Sequence, residues 1–465
     1  MQKYTERLGS DPLASLLVRL SLPGMVGTIA VSLYNIVDTF WVSRLGHEAI
    51  AALTIVFPYQ ILAMAIGLGT GTGIGALVSR YFGEKNLKAT NLAAGQVFFL
   101  SILWGLVLLI PALLFPETIL VLFGATEDIM SFGRTYLIVT SFGAPANVFV
   151  ILVGSLIRGS GDIVKPTIIM ITASILNMIL DPFLILGLGP FPEMGIKGAA
   201  LATVISQGTG MLIGLYYLLG NRTAFRLNRH CLIPRWLILK RIYYVGAPAS
   251  IQQLTESLAF VLFNKVVSTY GSVPIAAVGI AMRLSDLAFM PIMGVSNALL
   301  PVVGYNLGAR NQKRLWKSIK LSTIGITMLL AFFTIIIEIW APEIVSVFMK
   351  DPEGLRVTIP GMRIMLSAMV FIGPNILFVT AFQGLSMGAM ALWLSLVRQF
   401  LLFIPSLFLL EYLLGLTGIW LALPVSDILS FAVIFTFLLR EYNKRKNSFV
   451  RDSNYLLYED CKPPI

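Results

Sequence analysis

Two aspartates set among apolar residues are the side chains of this sequence best placed to do chemistry. Asp38 stands in SLYNIVDTFWV and Asp181 in ILNMILDPFLI, each inside a run apolar enough to cross a bilayer. An ionisable group there costs about 2.5–3.5 kcal/mol or more, so each needs a reason. Asn177 precedes Asp181 by four residues and shares its helix face; Thr203 follows in the next apolar run. Asp38, Asp181 and Thr203 stand at similar depth, within about two helical turns (roughly 12 Å) of the outer ends of their spans, and Asn177 is one turn deeper. The basic residues of this half (Arg19, Arg44, Arg80, Arg134, Arg158, Lys165, Lys197) all fall at span ends. A buried carboxylate without a cationic partner must hold a proton or a metal cation. Four oxygen-bearing side chains would therefore form a site for a coupling cation, sodium or a proton, if their spans are neighbours. The plainer alternative is that Asp181, before Pro182, caps a helix break while Asp38 faces a watery cavity.

The C-terminal half offers a less clear set. Glu256, Asp286 and Asp427 lie within apolar runs, but so do Lys265, Arg283 and Arg398. Arg283 and Asp286 have the (i, i+3) spacing of an intrahelical ion pair, the reading favoured here. Lys265 is near a span end and can snorkel. Glu256 is nearest mid-membrane and is read as a coupling or substrate residue or as a structural polar group. Asp427 aligns near Thr203 of the first half, as a vestige of a second site would. The stretch Gly67-Leu-Gly-Thr-Gly-Thr-Gly-Ile-Gly75 lies inside a span and lacks the Lys-Ser/Thr of a phosphate loop, so it is expected to serve close helix packing. Two histidines, no metal-binding cluster and no nucleotide motif argue against an enzyme, a cofactor or an ATP-driven pump.

These residues need elements to hold them, and composition says which. Of the 465 residues 57% are apolar and 12% charged, with a mean hydropathy of +0.84. Soluble proteins carry charge at about a quarter of their positions. The apolar runs exceed twenty residues, enough for a hydrocarbon core of roughly 30 Å, and strand-like alternation is absent. The fold class is an all-α integral membrane protein. Twelve spans are read, near 17–42, 52–78, 92–115, 132–157, 166–188, 195–219, 239–268, 275–303, 317–340, 356–382, 389–413 and 418–440. The start, MQKYTERLGSDPL, is too polar for a cleavable signal, so the first span is expected to insert directly.

The net charge of +11 reports orientation rather than nucleic-acid binding. Arg80, Lys85 and Lys88 follow span two. Arg222, Arg226, Arg229, His230, Arg235, Lys240 and Arg241 cluster around the linker after span six, and Arg310, Lys313, Arg314 and Lys317 follow span eight. The odd loops are poor in base. Positive-inside then places both termini and every even loop in the cytoplasm of a cell-membrane protein. Cys231 and Cys461, in the linker and the tail, imply no disulfide framework.

At an offset of 225 residues Pro23–Asn86 aligns without a gap onto Pro248–Asn311. Gly46 meets Gly271, Gly69 meets Gly294 and Gly83 meets Gly308; the register persists to Gly159 and Gly384. Matched glycines in gapless register indicate duplication. Six spans per half give two parallel six-helix lobes, between which substrate usually binds. The chain divides into an N-terminus (1–16), an N-lobe (17–219), a basic linker (220–238), a C-lobe (239–440) and a tail (441–465) expected to have no fold of its own.

The stretches LSLPGMVGTIAVSLYNIVDTFWVSRLG, IRGSGDIVKP, ILNMILDPFLI and MGIKGAALAT resemble, in order and spacing, segments of the MATE (multidrug and toxic compound extrusion) family, over about residues 10–440. The resemblance implies a V-shaped pair of six-helix lobes and cation-driven antiport of cationic, amphipathic compounds across the lipid bilayer, by a monomer. It assigns Asp38, Asn177, Asp181 and Thr203 to the N-lobe cation site, with Tyr34 as a neighbour. Glu256 is similar to a helix-seven acid of the NorM branch; Gln253, Arg283 and LSDLAFMP look more like the branch related to DinF. Sodium and proton coupling both stay open. The competing functions are a lipid-linked oligosaccharide flippase, which needs a cationic cavity where this N-lobe interior is acidic, and a major-facilitator transporter, whose basic Gly-x-x-x-Asp-Arg loop is not seen. A non-transporting scaffold would leave the acids at one depth unexplained.

Overall fold

A computed structural model describes residues 2–220 and 222–459, and their regular structure is helical throughout. The first six spans are Leu13–Val42, His47–Gly83, Leu87–Leu114, the bent pair Glu127–Phe142 and Ala144–Gly159, Val164–Leu186, and Ile196–Leu219. The second six are Trp236–Ser268, Ser272–Gly308, Gln312–Ile339, the pair Pro352–Ser367 and Met369–Gly384, Gly388–Leu414, and Leu416–Glu459. Each covers the stretch expected from its apolar run. Ten of these helices are long and apolar enough to cross a membrane, and the pair bent by 50° at Gly143 makes an eleventh. Span seven completes the set by length, with 33 residues; it is less apolar because it carries Gln252, Gln253, Thr255, Glu256 and Ser257 within less than two turns.

The last span corrects one expectation. Its helix continues to Glu459, so residues 441–459 are helical rather than without a fold. No Gly or Pro interrupts the chain after Pro424 until Pro463, Glu441 pairs with Arg445 one turn on, and Tyr442 packs edge-on against Trp316 with ring centroids 5.2 Å apart. Residues 460–465, with Cys461, lie outside the described residues.

The chain separates into two compact units. The larger comprises Met1–Leu258, Phe289–Ala309 and Phe382–Leu392; the smaller comprises Ala259–Ala288, Arg310–Ala381 and Trp393–Ile465. The larger unit thus holds the whole first repeat together with one end of several second-repeat spans.

Within the larger unit the core is built from Leu152, Val153, Leu156 and Ile157 of span four against Ile74 and Val78 of span two and Val97 and Leu100 of span three. The linker belongs to this packing. Phe225 is fully buried against Phe82, and the buried Gln96 amide donates to the carbonyls of Cys231 (3.3 Å) and Ile233 (3.1 Å) while its oxygen accepts from the Arg235 N–H (3.0 Å). The N-terminal helix Gln2–Ser10 is anchored at the same end: the buried Asn306 amide donates to the Leu8 carbonyl at 3.2 Å.

The duplication is written into the contacts of this unit. A Cβ added at Gly83 would stand 2.0 Å from the carbonyl oxygen of Tyr305, and one at Gly308 would stand 2.1 Å from that of Arg80. Residues 80 and 305, like 83 and 308, are equivalent under the 225-residue offset. Gly69 against Ser250 and Gly294 against Met25 form a second exchanged pair. Reciprocal contacts of this kind are what a local two-fold between parallel repeats produces. Both repeats also break their fourth helix at the matching residues Gly143 and Ala368, and both turn at the matching positions Lys85 and Arg310, with φ of 56° and 55°.

In the smaller unit Phe378, Phe431 and Phe435 stack on one another with centroids 5.6–6.0 Å apart. Beside them span eleven widens into a π-helical segment, Val397–Phe403.

Candidate cation site

Three neighbouring spans of the larger unit carry the site. Span five packs against span one and against span six, the adjacency on which the expected site depends. On span one, Tyr34 and Asp38 are four residues apart and so share a face. On span five, Asn177 and Asp181 do the same. The helix runs unbroken through Pro182 to Leu186, so Asp181 does not cap a helix break. Pro182 instead removes the N–H that would have bonded the Met178 carbonyl, leaving a spare backbone oxygen one turn from Asp181.

All three acidic and amide side chains are buried: Asp181 is 0% exposed, Asn177 2% and Asp38 8%. Both carboxylate oxygens of Asp181, both amide atoms of Asn177 and one carboxylate oxygen of Asp38 have no hydrogen-bond partner among the described residues, and neither aspartate has a salt bridge. The Thr203 hydroxyl donates to the Ala199 carbonyl at 3.1 Å, which leaves its oxygen lone pairs usable. Asp38 and Asp181 lie within electrostatic reach of each other, and Tyr34 and Tyr136 within reach of both. Two buried carboxylates so placed cannot both stand as bare anions; a proton or a cation between them removes the conflict. Neutral oxygens from Asn177 and Thr203 suit a hard monovalent cation. Among the described residues no three His, Cys, Asp or Glu side chains come together, so the donor set is not that of a transition-metal centre.

Three further polar groups on spans four and six were missed in the sequence. Ser206, one turn from Thr203, is buried with its hydroxyl unpartnered, and its (i, i+3) spacing was a readable signal. The Gln207 oxygen is likewise buried, beside Gly143 at the bend of span four. Tyr136 is buried within electrostatic reach of both aspartates; nothing in its local sequence distinguishes it from a lipid-interface tyrosine.

The C-terminal candidates do not gather into a comparable site. Glu256 accepts from the Gln252 amide at 3.3 Å, and Gln252 in turn accepts from Gln383 at 3.2 Å, so this acid belongs to a side-chain chain within the larger unit. Gln253 is half-buried nearby on the same helix. Arg283 and Asp286 do not form the expected ion pair: both are exposed, and among the described ion pairs none joins a guanidinium nitrogen of Arg283 to a carboxylate oxygen of Asp286 within 4.0 Å. An exposed pair gains too little to hold two flexible side chains in one geometry. Asp427 is paired instead, 2.8 Å from Arg398, whose place in the π-helical segment of span eleven sets it across from span twelve. Asn375 donates to the Asp427 carbonyl at 3.0 Å and fixes the same turn. The glycine stretch of span two behaves as expected for close packing: a Cβ on Gly73 would lie 2.2 Å from the Ile242 carbonyl oxygen.

The MatE family profile matches the chain twice, over residues 23–183 and 248–409, so the second match begins 225 residues after the first. A protein of Shewanella oneidensis known as an FAD transporter is 29% identical over 425 residues, covering 90% of this chain and 93% of its own length. The multidrug export protein MepA of Staphylococcus aureus is 26% identical over 439 residues, covering 93% and 95%. A solved structure of a multidrug resistance MATE family transporter of the MOP superfamily, in an outward-facing conformation, superposes with a TM-score of 0.88 at 28% identity, covering 96% of this chain and 99% of the other. A MOP superfamily transporter from Pyrococcus furiosus, described as having a binding pocket of reversed polarity, superposes with a TM-score of 0.88 at 27% identity, again over 96% and 99%.

Proposed function

Since the chain belongs to the MatE family of transporters, we propose that it is an antiporter that exports small organic molecules in exchange for sodium ions or protons taken up at Asp38 and Asp181. The observation that carries this reading is the pair of buried aspartates on adjoining spans, with carboxylate oxygens that no described residue satisfies. Asn177 and Thr203 supply neutral oxygens to the same cation, and Tyr34 and Tyr136 line its surroundings. Binding of the cation relieves the repulsion between the carboxylates, so loaded and empty states favour different helix arrangements. That difference is what couples ion to substrate. Alternating access then proceeds by the repeats parting at one end and closing at the other.

The substrate class follows the charge of the interior: cationic, amphipathic compounds suit an acidic lobe. The relatives span multidrug export and FAD transport, so both kinds of cargo belong in the assay. The protein is placed in the bacterial plasma membrane with both termini in the cytoplasm, acts as a monomer, and catalyses no covalent step.

The test uses purified protein in liposomes, with sodium and proton gradients imposed separately and a lipophilic cationic dye or FAD as cargo. Asp38→Asn and Asp181→Asn keep size and hydrogen bonding but remove charge, and each should reduce gradient-driven transport to the level of protein-free vesicles while the protein still inserts. Glu256→Gln should retain partial activity, because that acid is held in a separate side-chain chain. Wild-type, gradient-dependent transport by Asp38→Asn would sink the proposal.

A further inference from the structure

Arg158 closes span four with a guanidinium that has no acidic partner among the described residues. Among the described residues its guanidinium Nη2 donates to the Ser155 hydroxyl at 2.8 Å, and its Nη1 folds back beside Gly154. With Ser155 it lines a cavity of about 50 Å³, together with Gly71 and Thr72 of span two and Asn297 and Leu300 of span eight. All of these residues lie in the larger unit. The cavity is independent of the aspartate site: it uses none of its residues.

A guanidinium carries five N–H donors, and one hydrogen bond leaves most of them unspent. A cation set among helices without a counter-charge is costly, and proteins keep such groups where something pairs them. Here the side chains around the cavity supply donors: the remaining Arg158 N–H groups, the Ser155 hydroxyl hydrogen, since Ser155 meets Arg158 through its oxygen, and the Asn297 amide, which forms no hydrogen bond among the described residues. The Thr72 hydroxyl is committed to the Leu68 carbonyl at 2.9 Å. The glycines at 71 and 75 on the facing helix leave that wall without side chains and let span two approach Ser155, where a Cβ on Gly71 would stand 2.5 Å from the hydroxyl oxygen. The volume admits a few waters or one compact ion with a residual water, and is too small for an organic phosphate.

We propose that this cavity binds a halide-sized monovalent anion, chloride in the cell, as the counter-ion of Arg158. The anion would tie spans two and four of the first repeat to span eight of the second, and its release would accompany their separation. No role in the aspartate chemistry is implied.

The test measures thermal unfolding of the full-length protein in detergent, at constant ionic strength, with chloride exchanged for gluconate. Wild-type protein should gain stability with chloride through a saturable midpoint. Arg158→Gln should lose that dependence and keep the melting temperature seen in gluconate. Asn297→Ala, a milder change, should raise the half-saturating chloride concentration by about tenfold, the loss of one charge-assisted hydrogen bond, which keeps the idea testable if Arg158→Gln does not fold. Crystals grown in bromide should show anomalous density beside Arg158. A wild-type melting temperature equal in chloride and gluconate would overturn the proposal. So would stabilisation by acetate but not chloride, or bromide density only elsewhere.

Discussion

At the scale of single residues, the chain holds its intramembrane acids in two opposite ways. Asp38 and Asp181 are buried with no salt-bridge partner among the described residues, whereas Asp427 is buried against Arg398 at 2.8 Å. The first arrangement stores a conflict that a mobile cation can resolve; the second is already resolved and has nothing to exchange. Removing one partner of the second pair should therefore damage stability rather than coupling. Arg398→Met leaves the Asp427 carboxylate uncompensated, and breaking such a pair costs about 3–5 kcal/mol. Arg398→Met combined with Asp427→Leu should recover most of that loss, because two apolar groups then fill the space. Thermal unfolding of the single and double variants in detergent decides it: an unchanged midpoint for Arg398→Met would mean that the pair does not hold spans eleven and twelve together.

Among the elements, span two does most to join the repeats. Its glycines let the backbones of spans two and seven approach until Gly73 meets the Ile242 carbonyl with no space for a methyl group. Gly73→Ala should cost about 1–3 kcal/mol through overpacking, since the obstructing atom is backbone and cannot rotate away. Gly208, in span six, is the control, because nothing stands within 4 Å of a Cβ added there. Gly208→Ala should be neutral or stabilise by up to about 1 kcal/mol through reduced chain entropy. Equal unfolding midpoints for the two variants would show that the close approach at Gly73 is unimportant. The same reasoning applies at the matched positions Gly83 and Gly308, where each repeat's helix end meets the other's backbone.

For the whole molecule the open quantity is orientation. The basic residues of the linker are the reason to expect it in the cytoplasm, and a thiol label tests this. Cys231 itself is a poor reporter: it is 5% exposed, its backbone packs on Gly95 of span three, and its thiol donates to the Asn228 side chain at 2.9 Å. His230 beside it is exposed. In a protein with Cys231 and Cys461 replaced by Ser, His230→Cys should react with a membrane-impermeant maleimide only after cells are opened. Labelling of intact cells would reverse the topology and put both termini outside.

Much of the architecture was legible in the chain because the bilayer restricts the choices. A span must be about twenty apolar residues long and helical, so composition located all twelve; apart from the last helix, which continues to Glu459, their ends moved by a few residues. The duplication was legible because close helix contacts demand glycine, and Gly69, Gly83, Gly294 and Gly308 kept their register. Asp38, Asn177 and Asp181 stood out because charge and amide groups are costly in an apolar run. Pairing was not legible. That Arg398 would meet Asp427, that Arg283 and Asp286 would stay apart, and that Tyr136 would be buried within electrostatic reach of the aspartates depend on which helices are neighbours and on their rotation. The π-helical segment at Val397–Phe403, for example, shifts the face that span eleven presents. Nor did the basic linker advertise that Phe225 and Cys231 would be buried, since the sequence reports the cost of a residue in a given medium but not the medium that folding supplies. Local sequence thus determined which segments cross the membrane and which polar groups need an explanation; tertiary packing decided which of those groups meet, because partners come from distant segments whose adjacency no local pattern encodes.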